Sequence, residues 1–543
     1  MIFLTLGFGA ARAPKVPDGG FMLSTRFFGG GIAAAILTLF ALPAAAQSFR
    51  VQCPTSTPTH PTTVNADGSG IKCQQISGGD GFATMGDGTQ TYLFGFGPLS
   101  GLSDMASGLP GTQVPSVFNQ DNTSLGFDPI FIGAPVNQLD GTIVSDVFNG
   151  AIGLAPDPTL PATVADKIDG HVDPRLIMDV GVMNANEPAP LMAIDEDDEF
   201  FLTLTNVGQV MRPDLFEQHT VHFHGYPNAS AFYDGVPDAS IAINIGGSFT
   251  YYYLAPDAGT YFWHCHISPP EHLQMGMVGQ IYVRPRQNRV AGDLGAALIA
   301  ANKHAAVNPA ATGLSCSDIL CTGQTPAPVS AQGTGSSGVA GGGMYAYNDG
   351  DGSTRYDVEY PIQIHGFDPS FHFVGMTFNP ESFTDMKDKY FLLNGRSYPD
   401  TVSPGAMTTQ SSDGTLHASQ PLPTIINIPA NGRALLRISD LDVTEYQTLA
   451  SLGVRMHVIG YNARLLRDLA GNDMTYFTNS ITLAGGESLD VLLDATGLAA
   501  GQKFYLYTPN LDHLSNDAEN FGGLMTEVNI CSTVDPTTKA CGI

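Results

Sequence analysis

Positive charge is what this chain has least of. Its 543 residues hold 23 Lys and Arg against 51 Asp and Glu, a formal net charge of −28. A surface of that sign repels phosphate backbones and anionic lipid, which argues against nucleic acid and anionic membranes as partners. It leaves room for cationic substrates or basic protein partners, and it aids solubility. Tryptophan is nearly absent, with Trp263 alone. Long apolar runs are also missing. The longest, within GIAAAILTLFAL near the N-terminus, is too short to span a bilayer, so no membrane insertion is expected. Cysteine is scarce, with seven residues.

What the chain does have is histidine, concentrated in one place. Six of its 14 histidines lie between 219 and 277, in HTVHFHG at 219–225 and WHCHISPPEHLQMGM at 263–277. Both segments sit in Phe-, Tyr-, Thr- and Val-rich surroundings bounded by turn residues, so they read as strands. Side chains at i and i+2 of a strand share a face. His222 and His224 therefore point one way, as do His264 and His266, while Cys265 points the other. His219 falls on the face opposite His222 and His224. His272 and Met277 follow on a loop carrying Pro269 and Pro270, which can fold back towards Cys265. Cys265, His219, His272 and Met277 form a His2Cys set with a weak axial thioether, the pattern of a blue, type 1 copper site. Met275 reads as a packing residue beside it, and Trp263 as a core anchor.

These residues resemble the signatures of the multicopper oxidases: an H-x-H-G strand, then an H-C-H strand followed by His and Met. The stretches DGVPDASIAINIGGSFTYYY, 234–253, and GTYFWHCH, 259–266, are similar to that family's plastocyanin-like domain, over about 60 residues. The Cys-to-His spacing is two residues longer than in most members. The resemblance implies an all-β fold of two cupredoxin-like Greek-key β-sandwich domains joined by a long linker. It implies copper as cofactor, held as type 1 copper by His219, Cys265, His272 and Met277 and as type 2/3 copper by His222, His224, His264 and His266. Cys265 and the latter four histidines are then the catalytic set.

Along the chain, residues 1–46 read as a cleaved signal region with its true start at Met22. Arg26 gives the positive segment and Ala44-Ala45-Ala46 the cleavage site, which predicts a periplasmic or secreted protein. Residues 47–180 form an N-terminal extension with the first cupredoxin strands, including QTYLFGFGPL at 90–99. The Gly-, Pro-, Asp- and Asn-rich stretch 100–175 is expected to wrap the surface. Residues 181–286 form the copper-binding domain, with the acidic run Asp195 to Glu199 as a solvated turn. A linker, 287–355, holds a short helix at 293–306 and a Gly/Ser-rich stretch at 325–343. Strand signals resume from Tyr356 and define a second cupredoxin-like domain, 356–535, which has no Cys at the position of Cys265 and hence no blue copper. With Cys265 set aside, six cysteines remain. In an exported chain, closeness in sequence favours the disulfides Cys53–Cys73, Cys316–Cys321 and Cys531–Cys541.

The family builds a trinuclear centre from four H-x-H pairs, and this chain has two. His365, His372, His417, His457 and His513 of the second domain show no such pair, with His365 and His513 near strand ends. Either a second copy completes the site in a homo-oligomer, or the chain holds fewer coppers. The resemblance predicts one-electron oxidation of a small-molecule, metal-ion or redox-protein reductant, coupled to dioxygen reduction. The alternatives are a copper nitrite reductase, whose family has Asp where His222 stands and no His at 266, and a non-catalytic blue-copper electron carrier.

Overall fold

The computed structural model describes residues 49–542 apart from 66–67, 121–147, 158–160, 162–168, 226–229, 256, 290–343, 350–351, 377–381, 411–415, 469–470 and 536. Residues 47–543 form one compact unit. The architecture is all-β, as expected. Its first half contains strands β1 (Ile71–Thr84), β2 (Gln90–Pro98), β3 (Met192–Asp195), β4 (Glu199–Gly208), β5 (His222–Phe223), β6 (Ser248–Leu254), β7 (Gly259–His264) and β8 (Val278–Arg284). They make two four-stranded sheets, β2-β1-β4-β6 and β3-β8-β7-β5.

The alternation in EFFLTLTN explains β4. Phe200, Leu202 and Leu204 point into the core between the sheets. Thr203 and Thr205 face the other way and pair across to Thr250 and Ser248 of β6, each at 2.8 Å. Trp263 is fully buried in this core, 5.0 Å from the Phe96 ring. It lies so close to Gly279 that a Cβ there would come within 2.7 Å of the indole. Each large apolar side chain buried this way contributes about 1.5–3 kcal/mol. This core fixes β7 and thereby the residues that follow it.

The second sandwich joins a seven-stranded sheet, built on Val358–Phe367, Arg433–Asp440, Ser488–Asp494 and Arg455–Tyr461, to a five-stranded one that includes Lys503–Tyr507 and Met525–Cys531. The strand signals read from Tyr356 onward are all realised. The two sandwiches are tied by Thr260 Oγ1 donating to Asp490 (2.6 Å), and by Gln280 Nε2 donating to Ser439 Oγ (2.8 Å) and to the Arg437 carbonyl (2.9 Å).

Two expectations are corrected. The described residues of 100–175 do not simply wrap the surface. Leu102, Phe118, Phe148, Ile152, Leu154 and Val172 are buried in a core of their own against Ile71 and Cys73. Their apolar residues come singly or in pairs, scattered between Gly, Pro, Asp and Asn, so no period betrays them. The acidic run is not a solvated turn either, since Glu196 to Glu199 are all buried. Arg286 holds Asp197 at 2.5 and 2.8 Å, and Glu196 accepts from the Arg286 amide at 2.7 Å. Asp198 accepts from the Gly70 amide, and Glu199 from Tyr252 and His60, each at 2.7 Å. All but the Tyr252 bond span more than 80 residues of sequence, which makes the run look solvated when read locally.

Cys53–Cys73 and Cys531–Cys541 are bridged, and Cys265 is free and buried. The remaining expected bridge, Cys316–Cys321, lies outside the described residues, as do the signal region, the expected helix at 293–306 and the Gly/Ser-rich stretch. Among the described residues no helix is long and apolar enough to cross a membrane.

Candidate metal centre

The first cluster forms where β7 ends. His219, Cys265 and His272 are all buried, and their ligand atoms lie within 4.8 Å of one another. His219 is fixed by a two-way backbone pairing with Ile243 (3.1 and 3.0 Å). A Cβ on Gly78 of β1 would come within 2.7 Å of its ring, so that glycine lets the sheet close over the imidazole. His272 comes from a short helix, Pro269–Gln274, and its Nδ1 is 3.3 Å from Cys265 Sγ. The Cys265 amide donates to the Met277 carbonyl (3.1 Å), and the Met277 amide to that of His272 (2.8 Å). Met277 therefore closes the loop, buried with Met275 in the same core.

Electrostatics favour the ligand form of the sulfur. Burial alone would raise the Cys265 thiol, but the His272 and His219 rings outweigh it and hold it well below its ordinary range. Burial alone would lower His272; Cys265 and Glu217 instead push it up to about 9. The amide of Thr220 also points at Cys265 Sγ, at 3.4 Å.

The second cluster lies on the other face of the same strands. His222 of β5 pairs directly with His264 of β7. The ligand atoms of His222, His224 and His264 lie within 4.8 Å of one another, and Nε2 of His224 is 3.0 Å from Nε2 of His264. The His266 ring is 5.0 Å from His222 and stacks on His264 at 5.4 Å. Two rings are oriented through Nδ1, His222 donating to the Asp234 carbonyl (2.6 Å) and His264 to the Cys265 carbonyl (2.7 Å). An imidazole tied at Nδ1 presents Nε2 to a metal. Burial holds His264 well below its usual pKa, so it is neutral as a ligand must be. The clusters meet at Thr220, whose amide faces the thiol while its hydroxyl accepts from the His266 amide (2.9 Å).

The donor set suits copper. Neither ring nitrogen of the fully buried His219 makes a hydrogen bond, which would cost about 1–3 kcal/mol if nothing compensated it. His272 Nε2 is likewise unbonded, with its nearest carboxylate, Glu217, at 3.7 Å. A thiolate and imidazoles are the ligands soft and borderline metals choose.

Residues 169–288 match the family model for the multicopper oxidases. This stretch of the chain is similar to a multicopper oxidase domain. Multicopper oxidases are copper-dependent oxidoreductases. Over 109 residues the chain is 33% identical to the laccase abr2 of Aspergillus fumigatus, an alignment covering 20% of this chain and 17% of that protein. Over 114 residues it is 33% identical to the copper-containing nitrite reductase of Rhizobium meliloti, covering 20% and 27%. The chain thus spans less than a third of the length of these relatives. Among solved structures, the blue copper oxidase from Nitrosomonas europaea is 19% identical, with a TM-score of 0.41 over 64% of this chain and 77% of that one.

The structure brings His219, Cys265 and His272 together in one cluster and His222, His224 and His264 in the other, with the His266 ring beside the second and Met277 buried in the core next to the first. Sequence reasoning missed Glu217, Thr220 and Asp234. Glu217 had a signal, since it shares strand parity with His219; Asp234 acts through its backbone carbonyl and had none. The second sandwich's histidines stay out of both clusters. His513 stacks on Phe391 and is bonded to Gln447 and Glu445, each at 2.8 Å. His365 and His372 lie behind the His272 loop, away from the second cluster.

Proposed function

We propose that this chain is an exported copper oxidoreductase of the multicopper oxidase type. It would take electrons singly from a reductant and pass them to dioxygen. The observation that carries the reading is the back-to-back arrangement of the two clusters on one strand pair. His219, Cys265, His272 and Met277 would hold a type 1 copper, and His222, His224, His264 and His266 the type 2/3 coppers. Copper, when bound, supplies one-electron redox chemistry. The protein supplies a thiolate at Cys265, imidazole nitrogens, and a short path between the centres. That path runs through the Cys265 backbone to both flanking histidines, with a shortcut where His264 Nδ1 bonds the Cys265 carbonyl.

Four histidines are half of the family's trinuclear set, and three of them keep some solvent exposure. A second copy of the chain would complete the site, giving a homo-oligomer with copper at its interface. The division into signal region 1–46, extension 47–180, copper-binding domain 181–286, linker 287–355 and second domain 356–535 belongs to the same proposal. The resemblance to a copper-containing nitrite reductase supports a second reading, a single type 2 copper that acts on nitrite. Copper per chain, measured with the native mass, decides. More than two coppers per chain support the oxidase, two per chain support the nitrite reductase reading, and one per chain leaves an electron carrier.

A further inference from the structure

The helix that carries His272 is held at its C-terminal end by the other sandwich. The last carbonyls of any helix lack partners within the helix. Here the Leu273 carbonyl accepts from Nε2 of His365 (3.0 Å) and the Gln274 carbonyl from Nε2 of His372 (2.9 Å). A carbonyl can only accept, so each contact needs an N–H on the ring; for His372 this requires the proton on Nε2 rather than on Nδ1, which faces the Tyr92 carbonyl. The Gln274 side chain is gripped as well. Its Nε2 donates to Asp388 (3.0 Å) and its Oε1 accepts from the Asp368 amide (3.0 Å). His365, His372 and Gln274 are all at most 1% exposed. The rings are themselves braced, His365 by Glu187 at Nδ1 (2.8 Å) and His372 by stacking on Phe367 at 4.2 Å. Four contacts thus converge on two residues directly after His272. The Met277 amide closes the same turn onto the His272 carbonyl.

We infer that His365 and His372 are positioning residues for the Cys265 centre, so that the copper-free second sandwich serves as the clamp that sets where His272 stands. This rests on the reading of that centre as a copper site. Removing an outer partner of a metal ligand typically costs 10–100-fold in metal affinity. The clamp works through the backbone next to His272, so the same scale is expected here.

The test uses the full chain loaded with copper. His365→Ala and His372→Ala should each weaken copper at the Cys265 centre by roughly 10–100-fold and shift its thiolate-to-copper absorption. Copper at the His222–His266 cluster should be retained, while His372→Gln, which keeps an N–H donor, should recover most of the loss. An alanine variant that folds with unchanged affinity and spectrum overturns the inference, as does parallel loss of both centres. Should the alanine variants not fold, Gln274→Met removes only the side-chain grip, and unchanged affinity and spectrum there overturn the clamp equally. If the unaltered protein takes no copper at Cys265, it is the copper reading that fails.

Discussion

His219 of the first sandwich stands apart from the histidines of the second in its hydrogen bonding. In the second, His513 is bonded at both nitrogens, His365 at both, and His457 to Thr475 Oγ1 (2.8 Å) while stacked on Phe477. In the first, His219 is just as buried, yet both its nitrogens go without. Burying a polar group without a partner is costly, so folded chains avoid it unless something outside the chain completes the bond. An unsatisfied buried histidine beside a thiolate marks a ligand. The loop that closes the second sandwich, between Lys503–Tyr507 and Met525–Cys531, has His513 but no cysteine.

The contrast can be broken most decisively at Cys265. Cys265→Ser should abolish the intense visible absorption of the Cu(II) protein while leaving the fold, checked by absorption and circular dichroism on the same sample. If the colour survives, the first sandwich does not hold a thiolate-bound copper.

A comparable loss is expected from His222→Ala combined with His266→Ala, but confined to the other face. Copper at the second cluster and dioxygen turnover should fall together while the blue absorption remains, since those ligands come from the opposite side of the strands. Dilution to monomer should have the same outcome, measured by copper analysis and oxygen uptake. A strictly monomeric protein that still reduces dioxygen would show that the site is complete within one chain.

His513→Ala probes the satisfied class. It leaves Gln447 and Glu445 without their ring partner, a cost of about 1–3 kcal/mol in chemical denaturation. Both copper sites should be untouched. A change in blue absorption would mean that His513 is more than structural.

The smallest effect is one of pH on the copper-free protein. His264 has its folded pKa held well below the ordinary 6.5 by burial. The unfolded chain therefore binds a proton the folded one refuses. The stability His264 contributes is present above about 6.5 and lost as pH falls below it. His264→Gln should flatten that part of the stability profile, and an unchanged slope would argue that His264 is not buried neutral.

Much of this protein is set by sequence alone. Strand parity separates Cys265 and His219 from His222, His224, His264 and His266, because alternate side chains of an extended chain must face opposite ways whatever surrounds them. The strands of the second sandwich were legible for the same reason. Close pairs such as Cys53–Cys73 and Cys531–Cys541 needed only short loops. Tertiary structure alone decided the rest. It buried the acidic run Glu196–Glu199 by bringing up His60 and Arg286, and it gathered scattered Leu, Phe and Ile of 100–175 into a core. It also set His365 and His372 against the carbonyls after His272. Those partners lie tens to hundreds of residues apart, and no local period or spacing encodes a contact that exists only once the sandwiches have packed.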